Sequence, residues 1–117
     1  MIKTNKEHFE YFKKCCKYYI KKFNLDNWDI DIQHRELRNN FGESSINGKN
    51  YVGSIKLNKT WSNSKELNKD NLDLVAKHEV IHFLIGRYTW LSNERFLNEE
   101  ELEASEEELV NKLTLLL

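Results

Sequence analysis

The sequence predicts an α+β fold: an N-terminal helix, a small three-stranded and mostly antiparallel sheet, a central helix and a C-terminal helix. Three observations support this prediction. Apolar residues recur at three- and four-residue steps in three long segments, which is the spacing of one helix face. Between the first two of these segments, apolar and polar residues alternate in two shorter runs, as in half-buried strands. An Asn-Gly pair, Asn47 and Gly48, precedes the second run and is typical of a hairpin turn.

The first helix is predicted over residues 7–23. Apolar side chains such as Phe9, Phe12 and Cys16 form its stripe, with lysines largely between them. The pattern then changes, because Trp28 and two isoleucines alternate with polar residues over positions 28–34. This alternation predicts a strand with one buried face.

Two further strands complete the predicted sheet. Either a loop or a weak strand over residues 43–46 closes on the Asn-Gly turn, and a clear strand follows over residues 51–57. Gly53 within the latter marks either a bulge or a close approach of another part of the chain. Residues 58–69 are polar and form a connection, with Trp61 and Leu67 as candidate anchors.

The central helix is predicted over residues 72–85 and is the most apolar helix of the chain. Asp70 or Asn71 caps its start, and Gly86 ends it because glycine tolerates the left-handed cap conformation.

The last helix begins at Asn98, which forms a capping-box pattern with Glu101 and leads into a helix that continues to the C-terminus. The chain has no proline. It also shows no internal repeat and no flexible linker. We therefore expect a single domain over residues 1–117.

Composition excludes several classes of protein. The chain is 39% hydrophobic and 32% charged, with a formal net charge of -1, so we expect no nucleic-acid partner. Residues 1–23 carry seven lysines against two glutamates, and residues 94–117 carry eight glutamates against two basic residues. These segments are interpreted as two solvated helix faces of opposite net charge. No segment has the length of a membrane span or the pattern of a signal peptide.

The two cysteines are adjacent, Cys15 and Cys16, within the first helix. A disulfide between neighbours on a helix would be badly strained, so both are predicted to be free thiols. Cys16 lies on the apolar stripe and is interpreted as a small core residue. Free thiols favour a reducing, cytoplasmic setting, and the spacing supports no thiolate zinc site.

The central helix contains the pattern His-Glu-x-x-His at His78, Glu79 and His82. Histidines four residues apart lie on one helix face, so both imidazoles can reach one zinc ion, with the glutamate beside a water molecule. The composition predicts roughly 0.016 accidental matches to this pattern in a chain of this length. We therefore interpret His78 and His82 as metal ligands and Glu79 as the general base.

A third ligand is expected on the last helix. Glu106 falls in the middle of the apolar face formed by Leu102, Leu109 and their neighbours, where a carboxylate is costly unless it is paired or bound to a metal. Glu106 is therefore the first choice. Glu103 and Glu99, which lie near the same face, remain the alternatives.

This order of elements resembles the minimal zincins of the gluzincin type, the small metallopeptidases called minigluzincins, and similar short proteins in phage and bacterial genomes. The resemblance covers most of the chain, although its only specific motif is five residues long. It implies that zinc is bound by His78, His82 and Glu106, and that Glu79 acts as general base and acid. The chain lacks the downstream glycine and third histidine of metzincins.

The resemblance implies a zinc metalloendopeptidase that hydrolyses peptide bonds in a protein or peptide substrate with a zinc-activated water molecule. It also implies that the strand over residues 51–57 pairs its edge with an extended substrate. Tyr51, Tyr88 and His34 are candidates to stabilise the oxyanion.

Two other hypotheses remain open. The chain is either a zinc-binding module that recognises a partner without turnover, with the tail over residues 113–117 covering the cleft, or a small helical interaction domain with an accidental motif. In the latter case the acidic last helix engages a basic partner and no metal binds.

Overall fold

The computed structural model describes residues 1–93 and 98–116 and confirms the predicted α+β class. Glu94 and Arg95 of the acidic segment and Leu117 of the tail lie outside these residues. In chain order the elements are β1 (Ile2–Lys3), α1 (Lys6–Lys22), β2 (Asp29–Arg35), β3 (Gly42–Asn47), β4 (Val52–Asn58), β5 (Thr60–Trp61), a 3-10 helix (Ser64–Glu66), α2 (Lys69–Leu84), α3 (Gly86–Ser92) and α4 (Glu99–Leu116).

The main sheet has three strands in the order β2-β4-β3. β4 pairs antiparallel with β3, with Ser44 opposite Ile55, and parallel with β2, with Ile32 opposite Ile55. The prediction of three strands is therefore confirmed, but the sheet is mixed rather than mostly antiparallel. Alternation of apolar residues reports which face of a strand is buried, but it carries no information about the direction of the neighbouring strand.

A second, two-stranded sheet joins the N-terminus to the segment after β4. β1 pairs antiparallel with β5, with Ile2 opposite Trp61. Trp61 is fully buried and stacks on Phe41, with ring centroids 4.2 Å apart. The anchoring role predicted for Trp61 is confirmed, and part of the predicted polar connection is a strand.

The core lies between one face of the sheet and the helices α1 and α2. Successive strand residues point to opposite faces, so Ile55 and Leu57 of β4 enter the core while Lys56 points away from it. The largest fully buried side chains come from α1, α2, β4, β5 and the segment after α1: Phe12, Cys16, Leu25, Ile55, Leu57, Trp61, Leu72, Val80 and Phe83.

Both cysteines are buried free thiols, as predicted. Burial raises the pKa of the Cys16 thiol far above its ordinary value, and the Cys15 thiol and the Glu79 carboxylate raise it further. Cys16 is therefore a protonated core residue.

The boundaries of α2 differ from those predicted. Asn68, rather than Asp70 or Asn71, is the cap, and its side-chain oxygen accepts a hydrogen bond from the Asn71 amide at 2.9 Å. The helix ends at Leu84, and Gly86 begins α3 without a positive φ. A Cβ at Gly86 would lie 3.1 Å from the Ile46 side chain, so the glycine permits close packing on β3 rather than a left-handed cap.

The last helix begins as predicted. Asn98 accepts a hydrogen bond from the Glu101 amide at 2.8 Å, and α4 then packs mainly against α3. Within the described part of the chain, no helix combines the length and the apolar character needed to cross a membrane.

Candidate metal centre

A groove of about 590 Å³ lies between β3 and α2. The strand side contributes residues of 40–46, including Phe41, Glu43 and Ser44, and the helix side contributes five residues of α2. Those helix residues are Leu74, Val75, His78, Glu79 and His82. The three motif residues therefore share one groove with an apolar lining on both walls.

The side chains of His78, Glu79 and His82 form a group in which the candidate ligand atoms all lie within 4.8 Å of one another. The two imidazole rings are 5.0 Å apart between centroids and nearly perpendicular. His78 Nε2 lies 4.0 Å from Glu79 Oε2. The sequence prediction that these three residues form one group is confirmed.

The position of the group follows from the two faces of α2. Residues such as Leu72, Ala76 and Phe83 are buried against the sheet and α1. His78 and His82 lie at the boundary of this face, where the helix borders the groove. The helix period therefore places the histidines at the wall of the groove and directs Glu79, which is 6% exposed, towards the strand.

The donor set fits a zinc ion. Tetrahedral coordination with bonds of 2.0 to 2.1 Å requires ligand atoms about 3.4 Å apart, so the present separations need only small rotations of the side chains. The side chain of His78 is 69% exposed and has room for such a rotation. Two imidazoles and a nearby carboxylate are ligand types that zinc accepts.

Glu79 is held by the neighbouring strand. The Ser44 hydroxyl on β3 lies 2.8 Å from Glu79 Oε1 and 3.1 Å from the Glu79 carbonyl oxygen, so its single proton has two acceptors within reach. Sequence analysis did not single out Ser44. The available signal was its position between Gly42 and Ile46 on the inward face of a short strand, where a serine needs a polar partner.

The predicted third ligand does not belong to this group among the residues that the structure describes. Glu106 is exposed on α4, and so are Glu103 and Glu99. The inward face of α4 is centred on Ser105, which is 5% exposed, with Glu108 and Leu109 beside it. The choice of Glu106 as third ligand stays a prediction.

The strand that borders the groove is not the one that was predicted to pair with a substrate. β4 is the central strand and both its edges are occupied by β2 and β3, so the prediction of a free edge over residues 51–57 is wrong. Within the described residues β3 pairs only with β4, and it borders the groove. Strand order depends on long-range pairing, which a local pattern does not encode.

The three candidate oxyanion residues lie outside the groove lining. His34 stacks on Phe9 at 5.0 Å and its Nε2 lies 2.6 Å from the Thr4 hydroxyl. Tyr51 packs edge-on against Trp28, and Tyr88 lines a small pocket near α4. Their contacts are those of packing residues.

The groove also has an apolar side that the motif does not predict. Leu74, which lines the groove one turn before His78, is 63% exposed. Of α4, no described residue lines the groove, and Leu116 packs against the core instead. An open surface of this kind is typical of a site that receives a partner or substrate.

Comparison with known proteins finds no family model and no curated protein that matches this chain. The functional argument therefore rests on the group formed by His78, Glu79 and His82 and on the groove that contains it.

Proposed function

We propose that this chain is a zinc-dependent metallopeptidase that cleaves peptide bonds of an extended protein or peptide segment bound in the groove between β3 and α2. The observation that carries the proposal is the convergence of two histidines and a buried glutamate at the wall of an open, partly apolar groove. Supporting features are the unpaired outer edge of β3 in the described chain and the exposed Leu74.

His78 and His82 would hold the zinc ion. Glu106, the third ligand proposed from the sequence, is exposed on α4 and lies outside the groove lining in this structure. Zinc, when bound, supplies Lewis acidity that polarises the scissile carbonyl and makes water a stronger nucleophile. Glu79 takes a proton from the attacking water and returns it to the nitrogen of the departing amine. Because Glu79 is anchored and adjoins the groove, it transfers these protons without a large movement.

The outer edge of β3 offers main-chain groups for pairing with an extended segment of substrate. Phe41, Leu74 and Val75 provide an apolar lining for one of its side chains. We therefore expect a preference for segments that carry an apolar residue near the cleaved bond.

A second candidate function follows from the same three side chains. Glu79 is near enough to serve as a metal ligand itself, which would give a closed site that binds zinc without turnover. The two functions differ in the role of Glu79, which is a proton carrier in one and a ligand in the other.

The test is the substitution Glu79→Gln in zinc-loaded protein, with hydrolysis of denatured proteins followed by mass spectrometry of the fragments. We expect the wild type to cleave and the variant to lose about 10² to 10⁴-fold in rate while it keeps one zinc per chain. Glu43→Gln is the matched control, because Glu43 is an exposed carboxylate in the same groove. Loss of zinc in Glu79→Gln, with no cleavage by the wild type, would instead support the closed binding site.

A further inference from the structure

Ser44 is the only residue of β3 whose side chain is hydrogen-bonded to the motif in the described chain. It is half-buried, and its neighbours on the inward side of the strand are Gly42 and Ile46. A hydroxyl has a single proton, and the nearer of its two acceptors is Glu79 Oε1. The contact therefore joins the strand that borders the groove to the proposed proton carrier.

The two oxygens of Glu79 have different surroundings. Oε1 accepts from Ser44 at 2.8 Å, whereas Oε2 points towards His78 and lies 4.0 Å from its Nε2. A hydrogen bond from a hydroxyl to an ionised carboxylate is among the stronger ones in proteins and fixes the orientation of the group. One oxygen is therefore tied to the strand and the other faces the histidines.

Ser44 is itself held in place from two sides. β3 pairs with β4 through the register that sets Ser44 opposite Ile55. Next to it, Gly42 lies so close to α2 that an added Cβ would be 2.9 Å from Val75 Cγ1 and 3.4 Å from Glu79 Cγ. The distance between strand and helix is thus set by packing, and the Ser44 hydroxyl cannot follow Glu79 if the carboxylate turns towards the histidines.

We propose that Ser44 is a positioning residue that keeps Glu79 a proton carrier and prevents its carboxylate from becoming a metal ligand. This inference rests on the proposed function, because it assigns a role within the same site. With Oε1 bound to Ser44, Glu79 presents only Oε2 to the groove, and a rotation of the carboxylate towards the histidines would break this hydrogen bond. Groups that orient the residues of a metal site in this way commonly change its activity strongly when they are removed.

The experiment uses the full chain with Ser44→Ala, Ser44→Thr and the control Ser45→Ala. Ser45 is the next residue on the strand, it is exposed, and its hydroxyl contacts Lys56 rather than α2. Each protein is loaded with Co²⁺ in place of zinc, and its visible absorption spectrum reports the number of ligands, because four-coordinate cobalt absorbs more strongly than five-coordinate cobalt. Turnover of the zinc-loaded proteins on a denatured protein gives kcat and KM separately.

We expect Ser44→Ala to change the cobalt spectrum, because the freed carboxylate would add a ligand and weaken the absorption, or replace a bound water and shift the bands. We also expect it to lower kcat on the order of 10-fold or more with KM nearly unchanged. Ser44→Thr keeps a hydroxyl and should restore both readouts, whereas Ser45→Ala should match the wild type. Zinc content should stay at one per chain in all four proteins.

Failure of the inference is distinguishable from failure of the proposed function. If Ser44→Ala has the spectrum and kcat of the wild type, the role of Ser44 is overturned while the peptidase function stands. If the wild type cleaves nothing, the peptidase function fails, and the cobalt spectrum still decides whether Ser44 holds Glu79 off the metal. If circular dichroism shows that Ser44→Ala does not fold, Ser44→Cys takes its place in the same comparison. Cysteine has nearly the volume of serine, but its thiol is a much weaker hydrogen-bond donor.

Discussion

The contacts of single polar residues explain how α1 and α2 are fixed to each other. The Tyr19 hydroxyl on α1 donates to Asp73 Oδ1 on α2 at 2.8 Å, and Lys77 lies over the Tyr19 ring. Tyr19 is 8% exposed. This contact lies one and a half turns before His78 on the helix, so it helps to hold the segment of α2 that carries the motif.

We expect Tyr19→Phe to reduce the free energy of unfolding by about 0.5 to 1.5 kcal/mol at pH 7, because one hydrogen bond is lost and Asp73 loses its partner. Burial, and then the hydrogen bond to Asp73, raise the pKa of Tyr19 from 10.0 to about 12. Between pH 10 and pH 12 the hydroxyl of Tyr19 therefore stays protonated in the folded state, whereas it ionises in the unfolded state. The wild type consequently loses stability as the pH rises above 10. The difference between the two proteins should shrink between pH 10 and pH 12.

Urea denaturation at several pH values measures this effect. Tyr18→Phe is the matched control, because Tyr18 is the adjacent residue and is 59% exposed. If the difference in free energy of unfolding between the wild type and Tyr19→Phe stays constant across the alkaline range, the raised pKa of Tyr19 is contradicted.

At the scale of the elements, the approach of β3 and β4 to α2 determines the shape of the groove. Gly53 on β4 lies against the Ser45 carbonyl and the Phe83 ring, and Gly42 on β3 lies against Val75. The sequence left open whether Gly53 marks a bulge or a close approach, and the structure shows the close approach. A side chain at either glycine would force the sheet and the helix apart.

We expect Gly53→Ala to destabilise the protein by about 1 to 3 kcal/mol and Gly42→Ala by less. A Cβ at Gly53 would overlap the backbone oxygen of Ser45 and lie 2.5 Å from Phe83 Cε1, neither of which moves easily. At Gly42 the nearest atom is Val75 Cγ1 at 2.9 Å, which is farther away than both of these contacts at Gly53. Urea denaturation of both variants, with Ser54→Ala as the control, tests the order. Equal losses of stability in Gly53→Ala and Gly42→Ala would contradict this order.

At the scale of the whole molecule, the two charged helices lie in different surroundings. α1 packs against α2, and α4 packs mainly against α3. The radius of gyration is 15.4 Å, compared with roughly 13 Å for a compact chain of this length. The molecule is elongated, and the glutamates of α4 other than Glu108 are exposed to water. This agrees with the interpretation of the acidic segment as a solvated face.

Zinc binding is expected to stabilise the whole fold, because only the folded chain brings His78 and His82 together. A zinc concentration 100 times the Kd would add about 2.7 kcal/mol and raise the Tm by about 10 °C. His82→Ala should abolish this shift, whereas His8→Ala, which alters only the cap of α1, should keep it. Differential scanning calorimetry of each variant with and without zinc measures the shift in Tm. A zinc-dependent shift retained in His82→Ala would place the metal elsewhere.

A further substitution tests which residue is the third ligand. Native mass spectrometry of Glu106→Ala should show loss or sharp weakening of zinc binding if Glu106 completes the site. One zinc retained in that variant would transfer the role to Glu103, Glu99 or Glu79, each of which is tested by the corresponding substitution.

The sequence by itself determined the periodic elements and the motif. The α+β class, the helix that bears His78 and His82, the cap at Asn98 and the buried free thiols depend on local spacing and polarity, and each is present in the structure. A helix of 3.6 residues per turn places residues four apart on one face whatever its surroundings, so the histidine pair follows from the spacing alone.

Only the tertiary structure decided which strand borders the groove and which groups contact the motif. The central place of β4, the pairing of β1 with β5, the exposure of Glu106 and the hydrogen bond from Ser44 to Glu79 all depend on contacts between distant segments. The helical period of α4 shows which residues share a face, but the packing of α4 on α3 decides that Ser105 rather than Glu106 points inward. Packing between distant segments decides which face of a helix or strand is buried, and a local sequence pattern does not encode those contacts.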